Sequence, residues 1–108
     1  MLLTLMPGYP DLIGRRAAFV GTGTGPTSYT GGTTGGDPIT IPGKYLDVVL
    51  EVPQDPTGTY YAVARPSFAG PRATWVLRYY ATSNSVEVSN STNLSAVNFV
   101  VSGFYGEY

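Results

Sequence analysis

The sequence predicts an all-β fold, either an antiparallel β-sandwich or a small, jelly-roll-like β-barrel, and three observations support this. Apolar and polar residues alternate with a period of two in several short stretches, as they do in half-buried strands. Turn-forming Gly, Pro and Asn residues separate these stretches at intervals of roughly ten residues. No stretch keeps the spacing of an amphipathic helix over three turns. We therefore expect about seven strands and almost no helix.

Length and composition indicate one domain with few charges. The chain has 108 residues and no cysteine, so it forms no disulfide. Charged residues make up 12% of it, about half the usual fraction. A polar but uncharged surface suits a protein packed against neighbours, although an ordinary β domain can also carry one. Arg15-Arg16 is the only basic pair, so we expect no nucleic-acid partner.

The first segment, residues 1–14, is predicted to be an extended N-terminal arm that precedes a β domain spanning residues 15–108. Pro7, Gly8 and Pro10 interrupt it, so neither helical nor strand periodicity survives. Its large aliphatic residues are candidate partner contacts: Leu2, Leu3, Leu5, Leu12 and Ile13. Two interpretations stay open, an arm along its own domain and an arm that reaches onto a partner. The apolar start is too short for a secretory signal or a membrane span, so we expect neither export by a signal nor a membrane partner.

The next segments combine short strands with a long Gly/Thr-rich tract. Arg15–Val20 is a short strand candidate, and Ile39–Ile41 is a briefer one. Between them, residues 21–38 offer nothing large to bury and carry a high backbone entropy. We expect this tract to be a mobile surface loop that contact with another subunit would order. Its single aromatic residue, Tyr29, is a candidate partner contact.

Two strands in the middle of the chain are predicted from alternation. The first, Lys44–Val52, places four residues inward: Leu46, Val48, Leu50 and Val52. Its outward face carries the other four: Tyr45, Asp47, Val49 and Glu51. After a turn at residues 53–58, Thr59–Arg65 returns as a strand with Tyr61 and Val63 in the core.

The stretch Arg72–Val88 gives the strongest structural signal, which is a β-hairpin. Its first strand puts three large side chains on one face: Trp75, Leu77 and Tyr79. Thr82–Ser85 supplies the turn, and Val86 and Val88 share the inward side of the returning strand. We place Trp75, the only tryptophan, at the centre of the core.

Two further segments complete the predicted fold. Residues 66–71 form a loop between strands, because prolines stand at both of its ends. The last strand lies within Leu94–Tyr105 and turns three apolar residues to one face: Val97, Phe99 and Val101.

No residue pattern indicates catalysis. The chain has no His and no Cys, which removes the usual general base and the thiol nucleophile. Asp47 and Glu51 share one strand face, but two solvated charges explain them better than a glycosidase pair or a metal site. We therefore expect no enzymatic activity, no metal and no cofactor. Tyr45 and Tyr80 are further candidate partner contacts, and ordinary outward strand positions explain them equally well.

Short motifs follow one another in a recognisable order: Gly14-Arg15-Arg16, Gly35-Gly36-Asp37-Pro38-Ile39, Asp47-Val48-Val49, Trp75-Val-Leu-Arg-Tyr79 and Thr92-Asn-Leu-Ser-Ala96. In this order the chain resembles small structural proteins of tailed bacteriophages, which occur among head decoration and tail components. The resemblance covers roughly residues 14–106. The chain departs from it in the long glycine tract after Tyr29 and in the apolar segment before Gly14.

The resemblance implies a non-enzymatic virion structural protein of the capsid decoration or cement type. Such a protein would bind the outer surface of the major capsid protein lattice and stabilise it. It would also form a homo-oligomer, with a trimer preferred over a dimer. Its location would be the capsid surface of the virion, after synthesis in the host cytoplasm. Two alternatives stay open: a structural protein of the tail or head–tail connector, and a carbohydrate-binding β module for host-surface attachment.

Overall fold

The computed structural model describes residues 1–13, 16–31, 35–51, 58–67 and 74–107. Within these ranges it contains eight strands: β1 (Thr4–Leu5), β2 (Asp11–Ile13), β3 (Arg16–Thr24), β4 (Asp37–Pro38), β5 (Lys44–Glu51), β6 (Tyr60–Ser67), β7 (Thr74–Ala81) and β8 (Asn98–Glu107). These strands form two antiparallel sheets, so the predicted all-β sandwich is confirmed.

The larger sheet has the strand order β1-β3-β8-β5, and β2 also pairs with β3. Its centre is the ladder of β3 and β8, which runs from Ala17 opposite Tyr105 to Thr24 opposite Asn98. Directly opposed residues of an antiparallel ladder lie on the same face. Ala17 and Tyr105 are both buried, and this fixes which face of the larger sheet points to the core.

The smaller sheet has the strand order β4-β7-β6 and packs on that inner face. Strands β6 and β7 pair from Tyr60 opposite Ala81 to Ser67 opposite Thr74. Trp75 connects the two sheets, because its indole Nε1 donates a hydrogen bond of 3.1 Å to the carbonyl oxygen of Leu46 in β5.

The core between the sheets consists mainly of large side chains from β3, β7 and β8. Its most deeply buried members are Phe19, Tyr29, Leu77, Tyr79, Leu94, Phe99 and Val101. The predicted inward faces of β7 and β8 are therefore confirmed. Trp75 is only partly buried against this cluster, so its predicted central position is wrong. The indole N–H needs a polar partner, and it finds one at the Leu46 carbonyl beside the core.

The inward face of β6 is the reverse of the prediction. Its buried residue is Ala62, while Tyr61 and Val63 are half-buried on the opposite face. Ala62 lies directly opposite Tyr79 in the β6–β7 ladder. A small inward residue fits this position because the Tyr79 ring already fills the space between the sheets.

Strand β5 contains irregularities that no alternation pattern shows. Its ladder with β8 shifts register between Leu46 and Val48, and again between Val49 and Glu51. Bulges of this kind reset which residues point inward. Val48 now lies opposite Phe104 on the outer face, and Val49 packs against the core. The predicted orientations of Val48 and Val49 are therefore wrong, whereas that of Leu46 is confirmed.

The Gly/Thr-rich tract differs from the predicted surface loop at both ends, where it forms part of β3 and β4. Strand β3 continues through Thr24, with its glycines on the inner face and its threonines on the outer face. Gly25 follows and is buried, and a Cβ there would lie 2.5 Å from the Cβ of Leu94. The glycines therefore make room for other segments to enter the core. Residues 32–34 of the tract lie outside the described residues.

The predicted extended arm is instead a pair of short strands on the domain's own sheet. Strands β1 and β2 both pair with β3, and the turn Pro7–Pro10 separates them. The Leu3 N–H donates a hydrogen bond of 2.8 Å to the carbonyl oxygen of Thr40, which ties the segment to the chain after β4. The Leu3 side chain is buried. Of the two interpretations of this segment, the one along its own domain describes the structure.

The predicted hairpin forms only in part. Strand β7 and the turn after it are present, but the returning chain makes a single bridge, between Tyr80 and Glu87. Ser85 has a φ of 57°, which interrupts extended backbone at the start of the return. Val86 is 59% exposed, contrary to its predicted inward position, whereas Val88 packs against the core as predicted.

Several predictions fall on residues that the structure does not describe. They concern Gly14 and Arg15, the inward residue Val52, the turn at 53–57 and most of the loop at 66–71. The side chains of Ile13, Leu50 and Glu51 are likewise outside the described part of the chain.

Candidate interaction surface

Exposed apolar side chains follow one edge of the larger sheet, where the chain's first segment lies. We call this set the N-terminal edge: Leu2, Met6, Tyr9 and Leu12. Leu2 is 63% exposed and Leu12 is 81% exposed. Large aliphatic residues at such exposure occur singly on many proteins, but several along one sheet edge indicate a contact surface.

Leu12 owes its exposure to the unequal size of the two sheets. It lies opposite Ala17 in the β2–β3 ladder, so its side chain is on the core side of the larger sheet. Ala17 is buried, but Leu12 one strand further out is not covered. Leu12 thus projects past the margin of the sandwich, with its apolar side chain in water.

The candidate partner contacts of the arm divide between the surface and the core. Leu2 and Leu12 are exposed, as a partner contact requires. Leu3 is buried, and Leu5 is partly buried against the core, so these two hold the segment on its own domain. The described residues also add two exposed positions that the sequence reasoning missed, Met6 and Tyr9. The sequence itself indicated that Met6 and Tyr9 are exposed, because they flank the turn-forming Pro7-Gly8 pair.

The three candidate tyrosines do not form a common surface. Tyr29 is 1% exposed and belongs to the core, so its predicted role as a partner contact is wrong. Tyr45 is half-buried and lies opposite Gly106 in the larger sheet. Tyr80 is half-buried in the smaller sheet and stacks on Tyr61, with ring centroids 5.3 Å apart.

Tyr29 anchors the Gly/Thr-rich tract to the region after β7. Its ring meets that of Tyr79 edge to face, with centroids 5.3 Å apart. Its hydroxyl donates a hydrogen bond of 2.9 Å to Glu87 Oε2. The same Oε2 atom accepts a hydrogen bond of 3.0 Å from Arg78, whose Nε donates to the carbonyl oxygen of Gly35. These bonds connect the described part of the tract to β7 and to the segment after it within a single chain.

A second carboxylate, that of Asp37, lies beside the core and is engaged through both oxygens. Its Oδ2 accepts a hydrogen bond of 2.6 Å from the hydroxyl of buried Tyr79. Its Oδ1 lies 2.8 Å from the ammonium nitrogen of Met1, which also donates to the carbonyl oxygen of Pro38. Asp37 therefore compensates two buried polar groups and is not free to act as a base.

Two cavities flank β4. One, of about 370 Å³, is lined by Pro26, Ser28, Tyr29, Thr30, Gly36, Asp37, Pro38 and Val76. The other, of about 200 Å³, is lined by Pro38, Ile39, Thr40, Lys44, Tyr45, Leu46, Thr74 and Trp75. The two ionisable groups of the larger cavity, Asp37 and Tyr29, already hydrogen-bond within the protein, so they offer no reactive pair.

Of the two outward carboxylates predicted in β5, the structure describes the side chain of Asp47 only. Asp47 makes a salt bridge of 2.7 Å to Arg16 across the larger sheet. The second carboxylate, Glu51, follows after the register shifts of β5. Within the described residues, no group of three acidic, His or Cys side chains is placed to hold a metal ion.

Burial gives the two inner tyrosines a common response to alkali. Desolvation and the hydrogen bond to Glu87 raise the pKa of Tyr29 to about 12. Desolvation and the hydrogen bond to Asp37 also raise the pKa of Tyr79 above its usual value. Both phenols stay protonated in the folded protein at pH values where the unfolded chain has lost these protons. Their contribution to stability is complete below pH ~10 and is lost as the pH rises further.

We therefore expect the free energy of unfolding to fall above pH ~10, by about 1.4 kcal/mol per pH unit for each of the two tyrosines. Urea denaturation followed by circular dichroism at a series of alkaline pH values measures this slope. Tyr29→Phe should remove one of the two contributions and so reduce the slope by about half. An equal slope in Tyr29→Phe and the unmodified protein would contradict the assignment.

Comparison with known proteins finds no family model, no curated protein and no solved structure that matches this chain. Across the described residues, the structure has no helix with the length and apolarity of a membrane-spanning segment. The function is therefore inferred from the surface of the protein itself.

Proposed function

We propose that this protein is a non-enzymatic structural component of a tailed-bacteriophage virion, of the capsid decoration or cement type. It binds the outer surface of the major capsid protein lattice and stabilises it, and its location is the capsid surface. The observation that carries the proposal is the N-terminal edge, above all Leu12 at 81% exposure. Exposure of such an apolar edge to water is unfavourable, and burying it against a partner surface lowers the free energy.

The chemistry of the remaining surface supports a binding role. Charged residues are 12% of the chain, so desolvating its surface against a coat protein costs little. Three of the described carboxylates, those of Asp37, Asp47 and Glu87, are each held by a partner within the domain. A protein that clamps capsid subunits needs shape and apolar contact rather than a reactive group.

The proposal is tested with capsids that lack this protein, to which purified protein is added. Leu12→Ser should weaken binding by about tenfold or more, because burying a leucine side chain contributes roughly 1.5–3 kcal/mol. The fold should not change, since Leu12 is 81% exposed and is not among the side chains that pack against the core. Co-sedimentation with capsids at a series of protein concentrations gives the dissociation constants.

Val86→Ser is the matched control, because Val86 is also an exposed aliphatic residue but follows β7 of the smaller sheet, whereas the N-terminal edge belongs to the larger sheet. It should bind capsids as the unmodified protein does. Equal capsid binding by Leu12→Ser and the unmodified protein would show that the N-terminal edge is not part of the interface. Binding to isolated tails but not to capsids would assign the protein to the tail or the head–tail connector.

A further inference from the structure

The outer face of the larger sheet carries apolar residues where a solvated sheet carries polar ones. Antiparallel sheets with one face in water alternate apolar residues inward with polar residues outward. Strand β8 breaks this rule, because Phe99 and Val101 point inward while Val100 and Phe104 point outward. Strand β3 breaks it too, with Phe19 inward and its neighbours on the other face also apolar.

The register identifies the members of this outer face. Ala18 lies opposite Phe104 in the β3–β8 ladder, and Phe104 lies opposite Val48 in the β8–β5 ladder. Val20 lies opposite Ser102, and Thr22 lies opposite Val100. We call the apolar set the outer patch: Ala18, Val20, Val48, Val100 and Phe104. It is contiguous over three neighbouring strands.

The outer patch is accessible in the single chain. Val100 is 39% exposed, and the other four members are half-buried by their neighbours in the sheet. The smaller sheet packs on the opposite face of the larger sheet and so does not cover them. A contiguous apolar area at the middle of a sheet face is typical of a surface that another molecule covers.

Charged residues lie at the border of this face rather than within it. The ion pair of Arg16 and Asp47 stands at one end, with 2.7 Å between Nε and Oδ2. Asp11 is exposed on the edge strand β2. An apolar centre with a polar and charged rim is the usual arrangement of a protein–protein interface.

The dimensions of the face suit a dimer. Strands β3 and β8 pair over eight positions, which corresponds to a length of ~27 Å. Four strands abreast give a width of ~19 Å and a projected area of ~500 Å². Two such faces in contact remove about 1,000 Å² from water, near the lower limit for a specific interface.

We propose that the outer patch is the self-association surface of this protein, and that its occupant is the outer patch of a second copy. Two identical faces in contact are related by a two-fold axis, so the product is a dimer rather than the trimer that the resemblance implies. The two larger sheets then pack about 10 Å apart, as sheets do within a sandwich. This inference goes beyond capsid binding, because it requires only the chain itself and uses a different surface from the N-terminal edge.

Sedimentation equilibrium of the purified full chain tests the dimer, at concentrations on the order of 50 µM. The chain has a mass of 11.5 kDa, so a dimer has twice that mass. Val100→Lys should shift the protein to monomer, or weaken association by at least about tenfold. Val86→Lys places the same charge at another exposed valine and should remain a dimer.

Thr22→Lys serves as a second variant, because Thr22 is exposed on the same face opposite Val100. It should also yield monomer, and it keeps the test valid should Val100→Lys fail to fold by circular dichroism. A monomeric unmodified protein, or a trimer, would refute face-to-face pairing. The unmodified protein could instead prove monomeric, with capsid binding lost in Val100→Lys and kept in Leu12→Ser. That result would refute the dimer and identify the outer patch as the surface that binds the coat protein. A protein that forms dimers but binds no capsid would support the self-association surface and contradict the proposed capsid-binding function.

Discussion

Replacing Tyr79 with alanine is expected to remove about 4 kcal/mol from the free energy of unfolding, enough to unfold a domain of ordinary stability. Tyr79 is completely buried. The centroid of its ring lies 5.3 Å from the ring centroid of Tyr29 and 5.2 Å from that of Phe99. The substitution leaves a cavity between the sheets. It also takes away the hydroxyl that donates to Asp37, so one carboxylate oxygen beside the core loses its partner.

Trp75→Ala is the informative comparison for Tyr79→Ala. Trp75 is larger, but it is only partly buried against the core, so its removal should cost less than that of Tyr79. Urea denaturation followed by far-ultraviolet circular dichroism gives both values without depending on tryptophan fluorescence. A larger loss of unfolding free energy for Trp75→Ala than for Tyr79→Ala would indicate that Trp75, and not Tyr79, is at the centre of the core.

Gly103→Ala is expected to be strongly destabilising although it adds a single methyl group, with a loss of about 3 kcal/mol. Gly103 lies between Phe19 of β3 and Val49 of β5 in the larger sheet. The bulges of β5 bring the carbonyl oxygen of Val48 over Gly103, and a Cβ there would overlap that oxygen. The clash is with backbone, so no change of rotamer relieves it.

Thermal unfolding of Gly103→Ala measures this cost, and Ser102→Ala is its control. Ser102 precedes Gly103 in the same strand but points to the outer face, where a smaller side chain meets no obstacle. It should melt within a few degrees of the unmodified protein. A Gly103→Ala protein as stable as Ser102→Ala would show that β5 has no bulge against this position.

Much of the fold was predictable because strand alternation is strong where the inward residues are large. Phe99 and Val101 in β8, and Leu77 and Tyr79 in β7, are inward both in the prediction and in the structure. The prediction failed where a small residue points inward, as Ala62 does, since size alone then assigns the wrong face. It also failed in β5, because register shifts depend on the partner strand and leave no local signal.

The candidate interaction surface was predictable only in outline. An apolar first segment identifies Leu2 and Leu12 as unusual, and both are exposed. Nothing in that segment separates them from Leu3, which is buried. For Leu2 and Leu3 the difference arises from how this segment pairs with Thr40, and for Leu12 it arises from where the smaller sheet ends. Both are properties of the assembled sandwich and not of the local sequence.

The glycine–threonine alternation of β3 constrains the length of the chain there. Gly21 and Gly23 face segments that pass close by, since a Cβ at Gly23 would lie 2.5 Å from the Met1 Cγ. Inserting or deleting one residue would turn a threonine toward Met1 and Leu94 and a glycine toward solvent. Although its composition is that of a flexible linker, this part of the tract is thus intolerant of one-residue insertions and deletions.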